Sequence, residues 1–107
     1  QELALEEALH HGVELHQSGD LEGALGIYRA ITDSAYPDNV DAWHLQGLVA
    51  HAKLELCAAG DRAKLESDAA DQIAKAWELD PQRHDIGTNL GEVLRAVGRV
   101  AEASRVL

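Results

Sequence analysis

The chain is 107 residues long, 46% apolar and 26% charged, the profile of one small domain with a modest core. Nine basic and nineteen acidic side chains leave a formal charge of −10, which argues against nucleic acid or an anionic membrane surface as the main partner. The lone Cys57 rules out an internal disulfide, and no apolar run approaches the roughly 20 residues that span a bilayer.

With two Trp, two Tyr and no Phe, the core must be assembled from Leu, Ala, Val and Ile, a mixture that suits close helix packing better than a sheet. Charge is uneven: residues 1–81 hold 5 basic and 16 acidic side chains, and residues 82–107 hold 4 and 3. No signal peptide is visible, the chain starts at Gln1 so that an upstream segment can have been removed, and the expected location is cytoplasmic.

In chain order, a first predicted helix carries Ala8, Gly12 and Leu15 to a turn at Gly19-Asp20, and a second carries Ala24 and Tyr28, with Pro37 downstream. This hairpin covers about residues 2–36. A third helix with Trp43, Gln46, Gly47 and Ala50 leads to Gly60-Asp61, and a fourth carries Ala69, Ile73 and Ala76 before Pro81; this second hairpin covers about 40–80. A fifth helix with Gly87, Leu90, Gly91 and Leu94 leads to Gly98-Arg99, and a short last helix from Val100 carries Ala103 and Leu107; this truncated hairpin covers about 84–107.

The recurrence has a physical reason. Gly within a helix costs about 1 kcal/mol relative to Ala. Gly12, Gly47 and Gly91 are therefore expected where a neighbouring helix comes too close for a side chain, with Ala24, Ala69 and Ala103 as the small surface opposite. Gly19, Gly60 and Gly98 are expected to supply the left-handed turns. Pro37 and Pro81 are expected to stop the second helices.

These three segments resemble the tetratricopeptide repeat, of the bacterial type and in degenerate form, over nearly the whole chain. Its W-x-x-L-G-x-x-Y … A-x-x-x-F … P template is met in part by Trp43, Gly47, Ala69, Ala76 and Pro81, by Leu90, Gly91 and Ala103, and by Gly12, Ala24 and Tyr28. The resemblance implies an all-α, right-handed solenoid of three antiparallel hairpins. Two departures stand out. Gly12 to Gly47 is 35 residues but Gly47 to Gly91 is 44, so the second hairpin is expected to be elongated by about ten residues, six in its first helix and four in its second. Leu54, Leu56, Cys57, Ala58, Ala63 and Leu65 are expected to zip that extension. The stack also lacks the polar capping helix usual for the family, leaving Ile86, Leu90, Val93, Leu94 and Val97 with poor cover. Either the chain is a fragment of a longer one, the favoured reading, or that face packs on another copy.

The resemblance further implies a concave groove lined by the first helices. Hairpin one presents His10, Val13 and His16 to it; hairpin two presents His44, Leu45, Leu48 and His51; hairpin three presents Thr88, Asn89, Glu92 and Arg95. A mixed surface of this kind suits an extended or helical peptide. The family's clamp for a C-terminal carboxylate lacks its basic residues here, its slots holding Leu9, Val13, Leu45, Asp85 and Asn89. The asparagine ladder of O-linked N-acetylglucosamine transferases is met at one slot in three, by Asn89 beside His10 and Leu45. The run Asp41–Gly47 with Ala50-His51 looks like repeats that precede bacterial glycosyltransferase-like domains.

Six histidines suggest either a pH-sensitive groove or ordinary surface polarity. No close His-x-x-x-His pair supports a metal site. Cys57 has no base near it in sequence and is expected to be an inert buried thiol, and neither a P-loop nor a dinucleotide fingerprint is present. The expected function is a non-catalytic scaffold that binds a peptide or protein segment, without cofactor, metal, nucleic acid or membrane insertion. The alternatives are a homo-oligomerising module that associates through its uncapped C-terminal end, and the regulatory or substrate-binding segment of a larger glycosyltransferase-like enzyme.

Overall fold

A computed structural model describes residues 2–34, 36–54 and 62–99. Five α-helices and no strand occur among the described residues: α1 Glu2–Gln17, α2 Leu21–Thr32, α3 Val40–Leu54, α4 Arg62–Leu79 and α5 His84–Ala96. Each helix packs on the next in the chain, and α1 also touches α3. The molecule measures 40 × 34 × 21 Å. Its thin dimension is that of two helices side by side, each about 10–12 Å across.

The helix boundaries follow from local chemistry. α1 ends in a left-handed Gly19 at φ 93°, with the Asp20 N–H bonding back to the Leu15 carbonyl at 2.8 Å. α5 ends the same way, with Gly98 at φ 85° and Arg99 N–H on Leu94 O at 2.7 Å. In both, the glycine adopts a backbone that a side chain would strain, and the loop closes over the last free carbonyls. Asp20 then caps α2 by accepting from Gly23 N–H (2.9 Å), and Asn39 caps α3 by accepting from Ala42 N–H (2.8 Å). Gly60 and Cys57 lie outside the described residues, as does the short final helix expected from Val100.

The two prolines play different parts. α4 stops at Leu79, just before Pro81, as expected. α2 stops at Thr32, well before Pro37. Pro37 instead leads into α3, and its carbonyl accepts the Trp43 indole N–H at 2.7 Å.

Glycine permits close packing in both of the first two hairpins. A Cβ on Gly12 would sit 2.5 Å from Tyr28 Cε1 and 2.8 Å from Cζ. A Cβ on Gly47 would strike Ile73 Cγ1 and approach the Ala69 carbonyl at 2.9 Å and Ile73 N at 3.0 Å. Ala24, Tyr28, Ala69 and Ile73 are all fully buried. In both helix pairs, then, a glycine of the first helix is crowded by a large side chain of the second, Tyr28 against Gly12 and Ile73 against Gly47. Sixteen residues separate the first pair and twenty-six the second. Part of the surplus is visible: α4 begins seven residues before Ala69, where α2 begins three before Ala24. Four residues lengthen a helix by about 6 Å. α3 runs seven residues past Gly47 against five past Gly12 in α1, and the rest of the difference falls outside the described residues. Of the expected zipper, Leu54 is buried, Leu65 packs on the larger core and Ala63 is exposed, while Leu56, Cys57 and Ala58 are not among the described residues.

Two core clusters form. The smaller joins α1, α2 and α3 around Ala24, Leu25, Tyr28 and Val49. The larger joins α3, α4 and α5 around Ile73, Ile86, Leu90, Val93 and Leu94. This corrects one expectation. Ile86, Leu90, Val93 and Leu94 are at most 2% exposed, so the C-terminal end does not leave them bare, and only Val97 is half-buried. The amphipathic α5 turns its apolar stripe onto α4 rather than outward.

Candidate functional site

The residues expected to line a groove lie on α1, α3 and α5, and the structure brings some of them together. On α1, His10 is exposed, with its Nε2 3.7 Å from Glu14, while Val13 and His16 are half-buried. On α3, Leu45 packs on the smaller core and Leu48 on the larger, so both contribute to stability as well as to surface. His51 is half-buried; on α5, Thr88, Glu92 and Arg95 are exposed.

His44 is different from its neighbours. It is only 7% exposed, and its Nε2 lies 2.8 Å from Asn89 Nδ2. Burial lowers its pKa, as does Arg83 more weakly; Asp85 and Asp41 pull the other way. With the ring neutral, the Asn89 amide donates to Nε2 and the ring proton resides on Nδ1. His44 and Asn89, both expected at the groove, are bonded to each other and tie α3 to α5.

Next to this pair stands a residue the sequence did not single out. Arg83, at the start of α5, donates from Nε and Nη2 to the two oxygens of Asp85 (both 3.0 Å) and from Nη2 to Asp41 on α3 (3.2 Å). The fork–carboxylate geometry is the strong form of such a pair. The Arg83 hydrogen bond holds the Asp85 carboxyl down at about 2. Asp41 and Asp85 thus present much less negative charge than their number suggests. Arg83 and Asp41 are 42 residues apart, so nothing local announces the contact.

The other joint is built differently. Gln46, 2% exposed, donates from Nε2 to Thr32 Oγ1 (2.9 Å) and to the Tyr28 carbonyl (3.3 Å), fastening α3 to α2 through a neutral buried amide. Nearer the ends of these helices, Lys53 pairs with Glu22. Tyr28 itself keeps a buried hydroxyl with no partner among the described residues, and burial pushes its pKa up to about 12.

No group of three or more His, Cys, Asp or Glu among the described residues is placed to hold a metal ion. No helix among them is long and apolar enough to cross a membrane. Compared with models of known protein families and with curated proteins, the sequence finds no match in either.

Proposed function

We propose that the chain is a tetratricopeptide-like solenoid segment without catalysis of its own, and that it binds a peptide or protein segment along the face formed by α1, α3 and α5. The observation that carries this reading is the repeated close contact, Gly12 on Tyr28 and Gly47 on Ile73, in two consecutive hairpins. It is supported by the order of packing, in which α1 touches α3, and α3 is bonded to α5 through His44–Asn89 and Asp41–Arg83. The first helices then lie in one layer and α2 and α4 in the other.

The exposed or half-exposed groups of that layer are the contact surface: His10, Val13, His16, His51, Thr88, Glu92 and Arg95. They mix apolar, imidazole and ionic character, as peptide grooves with a few anchors and a polar rim do. His44 and Asn89 support that surface from beneath. Peptides selected from a random display library against the 107-residue chain provide the test. Selected peptides should perturb amide resonances on α1, α3 and α5 together, and Thr88→Arg should weaken them without loss of helicity. Selection of no peptide, or perturbations confined to α2 and α4, would refute the groove.

A further inference from the structure

The N-terminal half of α1 bounds an open cleft of about 430 Å³ against α2, lined chiefly by Leu5, Ala8, Ile27, Ala30 and Ile31. Its meaning comes from comparing hairpins. The register set by Gly12/Gly47 puts Ala8 in the place of Trp43 and Leu5 in that of Val40. The register set by Tyr28/Ile73 puts Ile31 in the place of Ala76. In the second hairpin, Trp43 and Val40 pack on the buried cluster that contains Ala76. In the first, a methyl group stands where the indole would be, and the cleft is what the missing ring leaves open. Even an apolar cavity of about 150 Å³ suffices to take up benzene, so one aromatic ring has ample room.

The charges around the cleft narrow the ligand. Next to the lining residues in sequence stand three exposed carboxylates, Glu6, Glu7 and Asp33, against one exposed cation, Arg29 beside Ala30. The neighbourhood is therefore net negative. The chain as a whole carries −10. We propose that this cleft receives one aromatic side chain of a partner peptide that carries a basic residue on each side of it. In the second hairpin, the indole N–H is satisfied by Pro37 O. The residue six before Ala8 is Glu2, within the first turn of α1, so the register place of Pro37 is helical here and the ligand need not bring an indole N–H.

The test is NMR titration of the 107-residue chain with acetyl-Lys-Trp-Lys-amide, with Lys-Ala-Lys and Glu-Trp-Glu counterparts as controls. The expected result is saturable shifts at Ala8, Ala30 and Ile31, with each control weaker by about tenfold or more, as loss of an anchor or of charge complementarity predicts. Ala8→Trp should abolish the shifts by filling the cleft from within. Ala30→Lys, at an exposed wall position where folding is insensitive, should abolish them by repulsion. No shifts with Lys-Trp-Lys at millimolar concentration would overturn the proposal, as would equal binding of Glu-Trp-Glu, or shifts confined to α3 and α5. Cleft resonances that move with protein concentration alone, and cease to do so in Ala8→Trp, would assign the cleft to a second copy of the chain and overturn the peptide assignment.

Discussion

The first two hairpins solve one packing problem with different side chains. In hairpin one, Gly12 receives the ring of Tyr28, a side chain that brings a hydroxyl into the core without a partner. In hairpin two, Gly47 receives Ile73 and, closer still to rigidity, the backbone of α4 at Ala69 and Ile73. The slot one turn earlier is reversed: Trp43 fills it in hairpin two and Ala8 leaves it open in hairpin one. The second hairpin is thus sealed and sits in the larger core, while the first is the looser and more adaptable of the two. Under the solenoid reading proposed above, such a difference is tolerated, because each hairpin needs only to match its neighbours.

The comparison is most directly broken at Trp43. Trp43→Ala removes a half-buried indole and the bond to Pro37 O. It should cost about 2–3 kcal/mol, below the ~3–5 of a fully buried Trp, read from urea denaturation. A loss no greater than that of Ala8→Gly would mean that the two slots are not equivalent. The glycines give the next effect. Gly47→Ala drives a methyl against backbone atoms, which cannot rotate aside. Overpacking of this kind costs ~1–3 kcal/mol, against which better helix propensity returns up to ~1. Gly12→Ala meets only a ring, which can shift, so its loss should be smaller. Equal losses at the two sites would deny the contrast between a backbone neighbour and a side-chain neighbour.

How far the sequence discloses this depends on whether the determinant is local. Gly19 and Gly98 end helices through bonds that reach only five residues, and the turns were legible for that reason. The close approach at Gly12 and Gly47 was legible because a costly residue recurred in phase. Three things were not. Pro37 was read as the end of α2, although its carbonyl serves Trp43 in the following helix. Ile86, Leu90, Val93 and Leu94 were expected to lack cover, because the count of helices says nothing about which way α5 faces. The candidate site suffered most. His44 and Asn89 share a surface stripe with their neighbours, but a contact across 45 residues turns them into a joint. Arg83 entered the same joint unannounced. That leaves α1, the exposed half of α3 and the outer side of α5 as the part of the site that sequence placed by residue type alone.

Tyr28→Phe sharpens the comparison from the side of hairpin one. Removing a buried hydroxyl that has no partner should stabilise the chain by about 1 kcal/mol, since the penalty of desolvating it disappears and no bond is lost. The same urea denaturation reads it. A destabilisation would reveal a partner for that hydroxyl and remove the reason to call the first core the less perfect one.

The smallest effect concerns the joints on either side of α3. The neutral amide of Gln46 does not titrate, whereas His44 does. The folded-state pKa of His44 lies below its ordinary value of 6.5 because burial disfavours the charged ring. The unfolded chain therefore binds the proton first as pH falls. Stability contributed by neutral His44 is complete above about pH 6.5 and declines as pH drops from there towards the lower folded pKa, where the decline ends. Protonation also turns Nε2 into a donor facing the Asn89 amide, so the amide must turn over to keep the bond. A comparison of melting temperatures at pH 7.5 and 5.5 isolates the imidazole. The native chain should lose stability over that interval and His44→Gln should lose less. Identical losses would show that the joint between α3 and α5 does not depend on the charge of this ring.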